Sequence, residues 1–264
     1  MMGVNLLKKT EEELIKHKEN AINVVESYIN NMLSGNEYQK SKADKFCYWL
    51  EDYMNFLNFE DSFSPRSLRR YKRGEIIKAH LGYNIGSEEG GLHYCVVVDK
   101  NNSANSPVVT VVPLTSVKPN TDIAHLYPTE VYLGNELFTS LNAKISAHSR
   151  EAKKKTESLK GIIDTLKIDE TSENRQTISD VENQIEDLNK KVLFINSMQK
   201  EIQRMKQGSI ALVNQVRVIS KIRIYDPKRN DDVLSNIKLS NEKLDAIDKV
   251  MVSTYTNVSV EKND

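Results

Sequence analysis

Two segments of the chain carry residue types suited to binding phosphate. Residues 86–91 read Gly-Ser-Glu-Glu-Gly-Gly, and glycines let backbone N–H groups approach a phosphate oxygen closely. The same composition is typical of a simple hairpin turn. Residues 65–73, Pro-Arg-Ser-Leu-Arg-Arg-Tyr-Lys-Arg, form a dense basic stretch. This stretch predicts either a phosphate-binding patch or a solvated linker, and composition alone favours the linker.

Histidine is the other candidate, because near neutral pH it can serve as either an acid or a base. His93 follows the glycine-rich segment closely, although a histidine beside a strand is more often structural. Cys47 and Cys95 show neither zinc-ligand spacing nor a disulfide framework, and reduced thiols are the simpler interpretation. No metal or cofactor is expected. Four other histidines are scattered without metal-ligand spacing and receive no role: His17, His80, His125 and His148.

The overall composition limits the classes of function. Lys+Arg and Asp+Glu both number 37 among the 264 residues, so net charge gives no argument for nucleic-acid binding. Any such site must come from a local patch. No apolar run approaches the ~20 residues that a membrane span needs, and residues 1–9 lack the hydrophobic region of a signal peptide. We therefore expect a soluble, cytoplasmic protein that does not contact membranes.

The elements that must position these residues fall into four zones. Residues 1–64 have helical periodicity and begin with a capping-box pattern at Thr10 and Glu13, which predicts a helical hairpin. Short β-branched runs between polar turns predict a small mixed or antiparallel sheet over 65–142. The β pattern returns at Gly208 and ends near Asp226-Pro227, and Ser240 or Asn241 then caps a last helix within 208–264.

Residues 143–207 separate the two β segments. Apolar residues recur there at heptad spacing in two runs, which predicts an antiparallel coiled-coil hairpin with its tip near 169–176. Its surface mixes acidic and basic residues, so we expect protein–protein contact rather than RNA binding, although a passive insertion is also consistent. The predicted domains are thus 1–64, 65–142, 143–207 and 208–264.

Six features in order resemble the MazF/PemK toxin family, over somewhat less than half of the chain. They include Lys72-Arg73-Gly74-Glu75-Ile76-Ile77 as an opening strand and the loop Gly86–Gly91. A second strand, Tyr94–Val98, and a third from Ser106-Pro107 to Leu114-Thr115 follow. Ser209-Ile210-Ala211-Leu212-Val213-Asn214-Gln215-Val216-Arg217 resembles the late motif, and a terminal helix closes the domain. The resemblance implies an α+β fold: a small SH3-like barrel with a terminal helix, here interrupted by the coiled coil and preceded by the helical hairpin.

The same resemblance implies a function. It predicts a toxin that cuts single-stranded RNA, such as mRNA, without metal, leaving 2′,3′-cyclic phosphate and 5′-hydroxyl ends. It also predicts a homodimer and a protein antitoxin as partners. One alternative is a catalytically inactive relative that binds RNA or protein as a regulator. A gyrase poison on a related fold is a third possibility, but no particular residue supports it.

The site residues follow from the motif positions. His93 occupies the place of the family's arginine and is a predicted catalytic residue together with Thr115, whose hydroxyl would contact the scissile phosphate. Histidine can be an acid or a base where arginine cannot, so this replacement predicts either a related mechanism or lost activity. The remaining positions are predicted to bind RNA, with turn formation, a salt bridge or strand flanking as alternatives: Arg73, Ser87, Glu88, Gly90, Gly91, Gln215 and Arg217.

Overall fold

The computed structural model describes residues 9–166, 174–205 and 208–258, and it divides the chain into two compact units, 1–59 and 60–264. The first unit consists of helices α1 (Glu11–Leu33) and α2 (Glu37–Glu60). The predicted capping box is confirmed, since the Thr10 hydroxyl accepts from Glu13 N while the Glu13 carboxylate accepts from Thr10 N. The helices touch through Tyr28 and Phe46, whose ring centres are 5.4 Å apart. Several apolar side chains of α1 are exposed, among them Leu14, Ile15, Ile22 and Val24.

The second unit is built on a seven-stranded antiparallel sheet, which confirms the predicted α+β barrel. The strand order is β4-β5-β3-β2-β1-β7, with β6 pairing with β3. Most strands coincide with the apolar runs of the sequence, but β7 was not predicted because three residues are too few to show a pattern. The strands are β1 (Ile76–His80), β2 (Leu92–Val97), β3 (Val108–Ser116), β4 (Glu130–Gly134), β5 (Ser209–Leu212), β6 (Arg217–Ser220) and β7 (Ile224–Asp226).

Successive side chains of β2 and β3 point to opposite faces of the sheet, and both faces are buried. On one face Val96, Val112 and Leu114 belong to a large core that also includes residues of the helices. On the other face Cys95 and Val97 join a smaller cluster around Tyr71, whose hydroxyl donates to the Pro227 carbonyl at 2.8 Å. A strand buried on both faces favours a continuous run of valine over strict polar alternation, as seen in this sequence.

The remaining helices are α3 (Glu136–Leu166), α4 (Asn174–Arg204) and α5 (Asn241–Tyr255). Helices α3 and α4 pack against each other along their heptad positions, where Ala152, Leu159 and Val181 are buried. Residues 167–173, which hold most of the predicted tip, lie outside the described residues. Helix α3 begins at Glu136, earlier than the expected 143, because Leu137 and Leu141 precede the heptads and are buried in the barrel core.

A buried polar cluster joins helix α4, of the α3–α4 hairpin, to the sheet. Glu201 of α4 accepts hydrogen bonds at 2.5 Å from Lys78 of β1 and from the Tyr94 hydroxyl of β2. The Lys78 and Glu201 side chains are only 12% and 11% exposed. Burial alone would raise the pKa of Glu201, but the two hydrogen bonds and the Lys78 charge hold that pKa below its usual range. This carboxylate therefore stays ionised and ties α4 to two strands.

Replacing Glu201 by alanine should destabilise the protein, because it leaves the Lys78 ammonium buried without a counter-ion. We expect the free energy of unfolding to fall by about 3 kcal/mol in urea titrations followed by circular dichroism. The matched control is Glu186→Ala on the same helix, which removes a solvent-exposed ion pair with Lys190 and should lower the free energy of unfolding far less. Equal losses in the two variants would show that the buried cluster contributes no more than a surface pair.

Candidate functional site

A groove of about 630 Å³ opens where the ends of β3 and β5 meet two loops. One of these is the glycine-rich loop that precedes β2, and the other is the connection from β3 to β4. Thr115, at the end of β3, contributes to the wall of the groove. The other lining residues are Ser87, Glu89, Ser116, Lys118, Asn120, Thr121, Asp122, His125, Leu126, Tyr127, Glu130, Ile210, Leu212, Asn214 and Gln215.

The glycine-rich loop Gly86–Gly91 requires glycine at its closing end. Gly91 has φ +81°, a left-handed conformation that glycine adopts without strain, and its N–H donates to the Gly82 carbonyl at 2.7 Å. A Cβ on Gly90 would lie 2.7 Å from the same Gly82 oxygen. The Asn84 amide also donates to the Glu89 carbonyl at 2.5 Å. The loop is therefore closed by backbone contacts: a Cβ at Gly90 would collide with the Gly82 carbonyl, and a side chain at Gly91 would strain its backbone.

Gln215 and Arg217 hold this loop from the late part of the chain. The Gln215 side chain accepts from Glu89 N and donates to the Ser87 carbonyl, both at 3.2 Å. The Arg217 guanidinium donates to the Glu89 carbonyl at 3.0 Å and to Gln215 Oε1 at 2.9 Å. The two predicted RNA-binding residues thus lie at the loop, where their polar groups bind protein atoms. Ser87 and Glu88 stay exposed at the tip of the loop.

His93 lies beside the wall of the groove. Its Nδ1 is 3.3 Å from the Leu114 carbonyl oxygen, and its Nε2 is 3.5 Å from the Glu89 carboxylate. Both ring nitrogens face acceptors, and the side chain is 28% exposed. The contact with Leu114 places His93 beside the residue that precedes Thr115, the other predicted catalytic residue.

Arg73 does not join the other predicted site residues. Its guanidinium donates to the Val98 carbonyl and forms an ion pair with Asp248 of α5. Its neighbours in the basic stretch are used in the same way, since Arg69 pairs with Glu75 at 2.8 Å and Arg70 donates to the Asn102 carbonyl. Arg69, Arg70 and Arg73 therefore each bind a protein acceptor within the second unit.

The β3–β4 connection contributes groove residues that the sequence did not reveal. Most notable is His125, whose Nδ1 is 2.7 Å from the Asp122 carboxylate. An Asp and a His three residues apart in a loop form no recognised motif, so the sequence carries no signal for this pair. Glu130 accepts from Tyr127 N at 3.1 Å, and Lys118 is the single lysine or arginine among the lining residues.

The described part of the chain contains no group of three or more His, Cys, Asp or Glu residues placed to hold a metal ion. Among the helices within that part, none is long and apolar enough to cross a membrane. These findings concern the described residues alone.

Comparison with known proteins agrees with the order of motifs along the chain. Residues 72–181 match the model of the PemK-like, MazF-like toxins of type II toxin–antitoxin systems. This range covers β1 to β4, α3 and the beginning of α4. It ends before the turn that carries Gln215 and before β6, which begins at Arg217. Among curated proteins, none matches the chain significantly. On the strength of the family match, residues 72–181 are a PemK/MazF-like toxin domain.

Proposed function

We propose that this protein is the toxin of a toxin–antitoxin system and cuts single-stranded RNA in the groove without a metal ion. The observation that carries the proposal is the meeting of Thr115 with the glycine-rich loop at one groove, within a domain of this family. The loop is held in shape by Gln215 and Arg217 without any ligand. A preformed loop binds substrate without the entropic cost of ordering it.

Cleavage would use the RNA's own 2′-hydroxyl as the nucleophile. The 2′-oxygen attacks phosphorus, the bond from phosphorus to the 5′-oxygen breaks, and the ends are a 2′,3′-cyclic phosphate and a 5′-hydroxyl. The developing negative charge needs preorganised donors. We assign this role to the Thr115 hydroxyl and to the backbone N–H of Gly90, where the absence of a side chain lets phosphate approach. Gly91 contributes by closing the loop, since its own N–H donates to the Gly82 carbonyl.

His93 positions Glu89 in this proposal. Its Nδ1 lies 3.3 Å from the Leu114 carbonyl oxygen, and its Nε2 lies 3.5 Å from the Glu89 carboxylate. His93 occupies the place that the resemblance gives to an arginine, and it holds Glu89 at the edge of the groove.

We assign the RNA-binding residues two different roles. The exposed Ser87 and Glu88 contact the substrate directly, with Glu88 reading a base edge. Gln215 and Arg217 act by shaping the loop. Arg73 is left out of the RNA-binding set, since its guanidinium is bound to Asp248 and Val98.

Partner binding is assigned elsewhere on the chain. The family implies a protein antitoxin, and we further propose a homodimer that acts on mRNA in the cytoplasm. We retain the division into 1–64, 65–142, 143–207 and 208–264, with the hairpin as a protein-contact insertion. Its support is a row of exposed apolar residues at seven-residue intervals on α4: Ile178, Ile185 and Val192.

One observation favours a second candidate function, a relative that binds RNA or protein without cutting. The groove is lined by three carboxylates, Glu89, Asp122 and Glu130, against a single lysine. Such a lining attracts phosphate weakly. Purified protein incubated with single-stranded RNA, with and without EDTA, separates the two functions. We expect cleavage in both reactions, with 5′-hydroxyl ends; RNA that is bound but uncut at high protein excess would favour the binder.

Replacing Thr115 by valine should lower the cleavage rate by roughly 10²-fold, because one preorganised donor to the phosphate is lost while the side-chain shape is kept. Single-turnover cleavage of a short RNA measures this rate. Thr139→Val, at an exposed position on α3, is the matched control and should leave it unchanged. Similar rates for Thr115→Val and wild type would remove this hydroxyl from the mechanism.

Arg217→Ala should loosen the glycine-rich loop. Losing its hydrogen bond to the Glu89 carbonyl should raise KM for RNA about tenfold, which corresponds to about 1.4 kcal/mol, with a smaller change in kcat. Amide hydrogen exchange within 86–91 should also quicken in the absence of RNA, unlike in the exposed control Arg229→Ala. A raised KM with unchanged exchange would instead mean that Arg217 contacts RNA directly.

A further inference from the structure

The β3–β4 connection is a wall of the groove with its own internal hydrogen bonds. Lys118 N donates to the Thr121 hydroxyl at 3.0 Å, and Thr121 N donates back to the Lys118 carbonyl at 2.9 Å. Nearer to β4, Glu130 N donates to the Tyr127 carbonyl at 2.9 Å. Turns closed at both ends of the connection restrict its backbone, so side chains between them have defined positions.

Between these turns Asp122 holds His125. Asp122 Oδ2 lies 2.7 Å from His125 Nδ1, while Asp122 Oδ1 accepts from Ala124 N at 3.0 Å. The second bond fixes the carboxylate, so the imidazole is oriented by a group that is itself fixed. His125 is 82% exposed and lines the same groove as Thr115.

The hydrogen bond between Asp122 and His125 determines which ring nitrogen of His125 can accept a proton. A carboxylate can only accept, so Nδ1 carries the hydrogen in its bond to Asp122. In the neutral ring Nε2 then has a free lone pair. His93 differs, since its two nitrogens face Leu114 O and Glu89. Of these two histidines, His125 is the one suited to accept a proton in the groove.

We propose that His125 is the general base of RNA cleavage, oriented by Asp122; this inference rests on the ribonuclease function proposed above. Nε2 takes the proton of the 2′-hydroxyl as the bond from the 2′-oxygen to phosphorus forms. The bond from phosphorus to the 5′-oxygen breaks, and the leaving oxygen receives a proton from water. Asp122 stabilises the imidazolium until the ring returns its proton to solvent, as in other Asp–His pairs.

The test is single-turnover cleavage by full-length His125→Ala and His125→Gln, with affinity measured separately on an RNA whose 2′-hydroxyl at the cut site is replaced by hydrogen. We expect cleavage to fall by about 10²-fold or more, the usual contribution of a positioned base. Affinity for the uncleavable RNA should stay within about threefold. Added imidazole should raise the rate of His125→Ala in proportion to its concentration, because the exposed position admits a small base.

Two further variants sharpen the assignment. Asp122→Asn should slow cleavage by at least about tenfold, because an amide stabilises the imidazolium less than a carboxylate does. His17→Ala, at an exposed position on α1, is the matched histidine control and should cleave like wild type.

The outcomes separate this inference from the proposed function. If wild type cleaves and His125→Ala cleaves within about threefold of it, His125 is not the base and the ribonuclease stands. A loss matched by an equal loss of affinity, or one that imidazole does not relieve, would also overturn the assignment. If wild type binds RNA without cutting it, the proposed ribonuclease fails and the inference fails with it.

Discussion

The second unit depends on one edge of β3 being shared between two strands, β6 and β5, while β2 pairs with the other edge. The first half of this nine-residue strand, Val108–Val111, pairs with β6, and its end, Leu114–Ser116, pairs with β5. The chain must therefore leave the sheet between β5 and β6, and it does so through the turn Val213–Gln215. That departure brings Gln215 and Arg217 to the glycine-rich loop, while the end of β3 places Thr115 in the groove. One pairing constraint thus positions most of the candidate site.

The pairing of β4 with β5 explains how the sheet accommodates a long insertion. The chain leaves after β4, runs out along α3 and back along α4, and re-enters at β5. Strands β4 and β5 are hydrogen-bonded neighbours, with Gly134 paired to Ser209 at the base of the hairpin. Because the exit and the re-entry are adjacent, the insertion closes on itself without disturbing strand order. Burial of Leu137 and Met198 in the barrel core secures this base.

The sequence predicts local features of this fold better than its long-range contacts. Valine runs, the glycines at 90 and 91 and the capping box at Thr10 each depend on neighbouring residues, so their patterns are visible in order along the chain. The Arg73–Asp248 ion pair joins residues far apart in sequence, and neither residue carries a signal of the other. The Asp122–His125 pair is local, but it depends on a short 3-10 turn that has no distinctive pattern. The strands were therefore predictable, whereas the partners of the charged side chains were not.

The buried cluster at Glu201 has a mechanical consequence. Helix α4 is 31 residues long, and a helix of that length is a stiff rod of roughly 45 Å. Near the C-terminal end of α4, the Glu201 carboxylate accepts hydrogen bonds from Lys78 and Tyr94. Tyr94 directly follows His93 in the sequence. These two hydrogen bonds therefore couple the position of α4 to β1 and to β2, the strand that carries His93.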